Sequence, residues 1–276
     1  MIRSDRSDDV ISLGRAGLAG EIEGSTDRRP PLVLLHGLTF DHRIWRPALD
    51  ELRQIDPGRR VLALDLPGHG DSPVQPSYDL QSVTDAVHQA VEQAGLVSPI
   101  VVGHSIGGVI ATVYAARYPA RGVTNVDQSL QLTPFVELLH ALRDQILGPG
   151  LPVVCERFLA SMQIELLPPS AQQLIRSSWL GRQDLIRAYW REALDRSAAE
   201  LAELMTSTLA TLRDAELPYL IVSGSEPEGG YREWLRQELP QATLTVWPQS
   251  SHFPHLAYPD RFAERLRTTA SLINQV

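Results

Sequence analysis

The segment Pro99-Ile100-Val101-Val102 is short and apolar, the stretch from Gly108 to Tyr118 has helical character, and Gly103-His104-Ser105-Ile106-Gly107 stands between them. That strand–turn–helix context is what gives a common five-residue pattern its meaning. A serine hydroxyl is a poor nucleophile unless it is held clear of its surroundings, and a tight turn with small residues two before and two after it does this. Ser105 would sit in a strained backbone conformation there, and side chains at Gly103 and Gly107 would collide with the turn. The helix that follows turns its free N–H groups toward the same spot.

Short β-like runs alternate with helical patterns along the rest of the chain. Leu32–Leu35, Val61–Leu64, Ile100–Val102, Val123–Val126, Tyr219–Val222 and Thr243–Val246 are apolar and mostly bounded by turn residues, as buried parallel strands are. Helical patterns lie between several of them, at Ser82 to Ala94 and at Gly108 to Tyr118, the latter stopped by Pro119. This is a doubly wound, mostly parallel α/β sheet. From Pro134 to Leu212 no strand signal appears. Ser170-Ala171-Gln172-Gln173 has the form of a capping box, and Ala198 to Leu212 is a further helix. The pattern divides the chain into a core, residues 1–128 and 214–276, and a helical insertion, residues 129–213, above the sheet.

Composition narrows the function. With 276 residues, 43% hydrophobic, the chain can bury a sizeable core. No stretch approaches the ~20 apolar residues of a membrane span. The charged first ten residues show no signal peptide. The single cysteine, Cys155, excludes an intrachain disulfide and fits a reducing compartment, so a cytoplasmic location is expected. A net charge of −8 repels nucleic acid and anionic lipid and suits a small neutral or apolar substrate. No metal-ligand spacing and no nucleotide fingerprint is present, so no cofactor is expected.

Four stretches in order make the chain resemble the α/β-hydrolase family: His36-Gly37, Asp65-Leu66-Pro67-Gly68-His69-Gly70-Asp71-Ser72, the Ser105 turn, and Ser251-His252-Phe253-Pro254-His255-Leu256. The resemblance implies an α/β-hydrolase fold whose helical insertion is a lid, Ser105 as nucleophile and His252 as its base, with His255 the alternative. It also implies an oxyanion hole from the backbone N–H groups of Leu38 and Ile106. A neutral imidazole takes the serine proton near neutral pH.

The acid is ambiguous. Family members usually carry it after the seventh strand, where this chain reads Gly224-Ser225-Glu226-Pro227-Glu228-Gly229-Gly230 with Pro227 at the usual position. Glu226, Glu228 and Asp127, which ends the preceding strand, are the candidates. Asp41-His42-Arg43-Ile44-Trp45, Ser225-Glu226-Pro227-Glu228 and Ser251-His252-Phe253-Pro254 are similar to stretches of the cofactor-independent heteroaromatic-ring dioxygenases. That branch places its acid after the sixth strand, which favours Asp127. It also implies histidines at two positions where this chain has Phe40 and Ile106. Hydrolysis of a carboxylic ester through an acyl-enzyme is therefore expected over ring dioxygenation, with a non-catalytic ligand receptor as the third possibility. Phe135, Phe158, Trp179, Tyr189 and Trp190 predict an apolar pocket, most of these rings serving to pack the lid.

Overall fold

The structure, a computed structural model, describes residues 10–178 and 182–273. Its strands are β1 (Ile11–Leu13), β2 (Leu18–Glu23), β3 (Leu32–Leu35), β4 (Val61–Leu64), β5 (Ile100–His104), β6 (Gly122–Val126), β7 (Tyr219–Ser223) and β8 (Ala242–Val246). They form one sheet in the order β1-β2-β4-β3-β5-β6-β7-β8. The pairings from β4 through β8 are parallel, and β1 and β2 join antiparallel at one side.

The central strands β3, β4, β5 and β6 are buried at every position because both faces are covered. Along β3 the side chains alternate between two cores: Val33 and Leu35 enter one, Leu32 and Leu34 the other. The helices outside the insertion are α1 (Arg46–Ile55), α2 (Leu80–Gln93), α3 (Ile106–Arg117), α10 (Tyr231–Glu238), α11 (Pro254–Ala257) and α12 (Pro259–Ile273). One core is closed by Val83 and Val87 of α2, Ile110 of α3 and Leu235 of α10. Leu49 and Leu52 of α1 and Phe262 and Leu266 of α12 close the other.

Between β6 and β7 lie α4 (Thr133–Ala141), α5 (Arg143–Leu147), α6 (Leu151–Ser161), α7 (Pro169–Ser178), α8 (Gln183–Asp195) and α9 (Ala198–Asp214). Leu139, Ile146, Leu151, Val154, Ile186, Trp190 and Leu194 make a small core of their own here. Each fully buried aliphatic side chain there contributes roughly 1.5–3 kcal/mol. Among the described residues no helix is long and apolar enough to cross a membrane.

The structure departs from the sequence reading in three places. The strands β1 and β2 carry no clear apolar run, because Gly20, Glu21 and Glu23 interrupt β2 on the flank of the sheet. The helix expected to start with a cap at Ser170 begins at Pro169, so Ser170 lies inside its first turn. The capping box is instead at the start of α9, where Ser197 accepts from Glu200 N–H and the Glu200 carboxylate accepts from Ser197 N–H.

Candidate active site

Every candidate residue stands on the loop after a parallel strand, at the carboxyl edge of the sheet, where α/β folds open their crevices. Leu38 follows β3, Ser105 follows β5, Asp127 follows β6, Gly224 follows β7 and His252 lies beyond β8. All of them, with Ile106, line one cavity of about 540 Å³ whose other wall is the helical insertion.

The turn at Ser105 is built as the glycines require. Ser105 has φ 53° and ψ −128°, a conformation costing on the order of 1–3 kcal/mol that the surroundings must hold. Its N–H donates to Val126 O (3.0 Å) and its carbonyl accepts from Gly108 N–H (2.7 Å). A Cβ on Gly103 would lie 2.0 Å from Gly107 O, and one on Gly107 would lie 2.4 Å from Leu35 O. Ile106 begins α3, so its N–H has no partner within the helix. Leu38 is held from its neighbours: Thr39 N–H donates to His69 Nε2 (2.9 Å), and Leu66 N–H donates to His36 Nε2 (2.9 Å). His36 and His69 thus act as acceptors that tie two loops together.

Of the three carboxylates, it is Asp127 that meets His252. His252 Nδ1–H donates to Asp127 Oδ2 at 2.7 Å. The other oxygen, Oδ1, accepts from Gly224 N–H at 2.7 Å and from Ser223 Oγ–H at 3.0 Å. Burial pushes the Asp127 carboxyl up, but the hydrogen bond and charge of His252, with the donors at Gly224 and Ser223, hold it below the ordinary carboxylate range. Asp127 adopts φ 52° at the strand end. Glu226 points away into an exposed ion pair with Arg232, and Glu228 is exposed.

His252 is fixed from behind by His104, whose Nε2–H donates to its carbonyl (2.8 Å) and whose ring lies 4.7 Å from it. His255, the alternative base, is fully buried with neither ring nitrogen hydrogen-bonded, packed 4.6 Å from the Trp45 ring. Burial and the charge of His252 push it down to about 3, so it stays neutral in place. It has no access to the cavity.

Phe135, Phe158, Tyr189 and Trp190 line the cavity, and three of them also pack on one another, with ring centroids 6.1 Å (Phe135–Phe158) and 5.1 Å (Phe158–Trp190) apart. These rings thus pack the insertion and at the same time form part of the cavity wall. Trp179 lies outside the described residues. Two contributors were not legible in the sequence, Ser223 and the Gly224 N–H, because nothing local marks a backbone donor as the holder of a carboxylate 97 residues earlier in the chain.

Among the described residues, Asp41, His42 and Asp65 bring possible metal-ligand atoms within 4.8 Å of one another. Each is already engaged. His42 Nδ1–H donates to Asp65 (2.8 Å), its Nε2 faces Glu21 (3.2 Å), and Asp41 accepts from Arg43. The cluster reads as a hydrogen-bonded anchor for the loop after β3.

A sheet of this order with a strained serine after β5, lining the same cavity as an imidazole paired to a carboxylate, defines the class. The chain belongs to the alpha/beta hydrolase family, whose family model matches residues 32–265. It is 30% identical over 264 residues to the pimeloyl-[acyl-carrier protein] methyl ester esterase of Chromobacterium violaceum, covering 87% of this chain and 96% of that one. It is 27% identical over 245 residues to the sn-1-specific diacylglycerol lipase ABHD11 of Mus musculus, covering 85% and 79%. In fold it is similar to an AqdC variant solved with its substrate, the Pseudomonas quinolone signal, whose ring that protein cleaves (TM-score 0.76, 17% identity, 95% and 98% covered). With relatives named as esterases and lipases, this is an esterase-like hydrolase.

Proposed function

We propose that the chain cleaves a carboxylic ester with an apolar acyl group through an acyl-enzyme at Ser105. The observation that carries this reading is the His252–Asp127 pair facing the same cavity as the strained Ser105. Ser105 Oγ attacks the ester carbonyl carbon while His252 Nε2 takes its proton, and the carbonyl oxygen becomes an oxyanion held by the N–H groups of Leu38 and Ile106. Collapse breaks the bond to the alcohol oxygen, which leaves with the proton from His252. A water molecule then repeats the attack, releasing the acid and restoring Ser105.

The helical insertion serves as a cap in this reading, with residues 129–213 over a core of residues 1–128 and 214–276. Its aromatic rings favour an apolar or aromatic acyl group. The relatives support an ester, since a methyl ester and a diacylglycerol are what two of them are named for. Ring dioxygenation is disfavoured because His252 is the one histidine among the described lining residues and Phe40 is 1% exposed. The test is a fluorophosphonate probe with p-nitrophenyl esters. Wild type should label at Ser105 and show an acyl-enzyme burst, and Ser105→Ala should lose both. Labelling that persists in the Ala variant, or oxygen uptake with a 3-hydroxy-4-quinolone-type ring, overturns the reading.

A further inference from the structure

The opposite edge of the sheet holds a second concavity, of about 210 Å³, with a different chemistry. It is framed by the segments that enter the parallel strands: Thr26 to Pro31 before β3, Arg60 before β4, Gly95 to Val97 before β5 and Arg121 before β6. Four arginines line it, Arg28, Arg29, Arg60 and Arg121, against one acidic residue, Asp27. Asp27 is consumed by Arg29, which also pairs with Asp56. Arg28, Arg60 and Arg121 have no carboxylate partner among the described residues.

In a chain of net charge −8 that is an anomaly. Acidic partners are abundant, and most described arginines have found one, yet three cations that have none collect at one pocket. Like charges held together repel, and an isolated surface would spread them. Arg60 is held in its place beside the pocket. Its Nη1–H donates to Gly24 O (2.9 Å), while its Nε is buried from water and has no acceptor at all.

We propose that this pocket binds a phosphoryl anion, of the size of phosphate or pyrophosphate, at the amino edge of the sheet. Guanidinium groups match phosphate oxygens two at a time, and Arg28, Arg60 and Arg121 together supply such donors from three separate segments. The volume admits one or two phosphoryl groups, and neighbouring Pro30, Pro31, Leu96 and Val97 leave no wall that would recognise a base or a long chain. The site lies across the sheet from Ser105, so an anion there ties the β3, β4, β5 and β6 entry segments together without touching the ester cavity. Binding to the folded state alone then raises stability with anion concentration.

The experiment is isothermal titration of the full chain with inorganic pyrophosphate and with phosphate at matched ionic strength, alongside thermal unfolding. Saturable one-to-one binding is expected, with Arg60→Gln and Arg121→Gln each weakening it by at least about tenfold, as loss of a charge-assisted contact does. Arg15→Gln, an exposed arginine elsewhere, should bind as wild type does, and all three variants should keep ester turnover. Arg121→Gln keeps the test decisive if Arg60→Gln fails to fold. No saturable heat at 5 mM pyrophosphate (roughly the top of a useful specific range) overturns the proposal. So does equal binding by wild type and Arg121→Gln, or tighter binding of citrate than of pyrophosphate.

Discussion

Replacing Asp127 with Asn probes the site with little change of shape. The structure dictates which way the new amide must point. Gly224 N–H and Ser223 Oγ–H both aim at Oδ1, so the single amide oxygen belongs there. That leaves the NH2 group facing His252 Nδ1, a position now filled by an acceptor. The imidazole must then present its lone pair to the amide and carry its proton on Nε2, toward Ser105, where it cannot act as a base. Turning the amide over restores the tautomer only by setting NH2 against the fixed Gly224 donor, at a cost of roughly 1–3 kcal/mol. The neutral amide also forfeits attraction to the imidazolium formed during attack. For unit charges about 4 Å apart near a protein surface that is up to ~4 kcal/mol. Together these give about 5 kcal/mol, a loss near 10⁴-fold in turnover. Glu226→Gln should stay within about twofold, since an exposed ion pair is screened by solvent and salt. The assay is p-nitrophenyl ester turnover at pH 7–8 with circular dichroism on each variant. A folded Asp127→Asn within tenfold of wild type, or a larger loss in Glu226→Gln, would refute the argument.

Three further outcomes are expected. Gly103→Ala places a Cβ 2.0 Å from Gly107 O, where only backbone movement relieves it, so urea unfolding should show a loss above ~3 kcal/mol or no folded protein; an unchanged midpoint sinks the close-approach account of the turn. Trp190→Ala removes a ring shared by the insertion's core and the cavity wall, so the ratio of kcat/KM for long over short acyl esters should rise while fluorophosphonate still labels Ser105; an unchanged ratio argues against acyl binding at that wall. Stability should fall as pH drops from 7 to 5. Burial lowers the folded-state pKa of His36, His69, His104 and His255, so below ~6.5 the unfolded chain takes up protons that the folded chain refuses, at no more than about 1.4 kcal/mol per pH unit for any one of them. His42 opposes them: burial lowers it, but Asp65 and Glu21 raise it further, so its contribution is present at low pH and lost as pH rises through its folded value. Asp127, held low, begins to cost stability only below ~3.9, outside this window. Urea midpoints flat between pH 7 and 5 would contradict the buried neutral histidines.

What the sequence determined by itself was whatever short segments encode. The run from Ile100 to Gly107 specifies a buried strand, a turn that tolerates no Cβ at two positions, and a helix, because each constraint acts within a few residues. Strands such as β3 and β4 were legible for the same reason, their burial on both faces leaving continuous apolar runs. Strands β1 and β2 were not, since pairing on the flank of the sheet asks for little more than extended backbone and their glycine and acidic residues hide it. Only the tertiary structure shows which carboxylate pairs with His252. Glu226 and Asp127 were both chemically adequate and both followed a strand, and the choice between them rests on which carboxylate reaches His252. Asp127 is 125 residues from that histidine, and the donors that hold it come from a third segment. Such a meeting is made by sheet order and loop path, and no local pattern records it. The arginine pocket is of the same kind: its cations lie in three separate stretches and become one charged concavity only because β3, β4, β5 and β6 begin side by side.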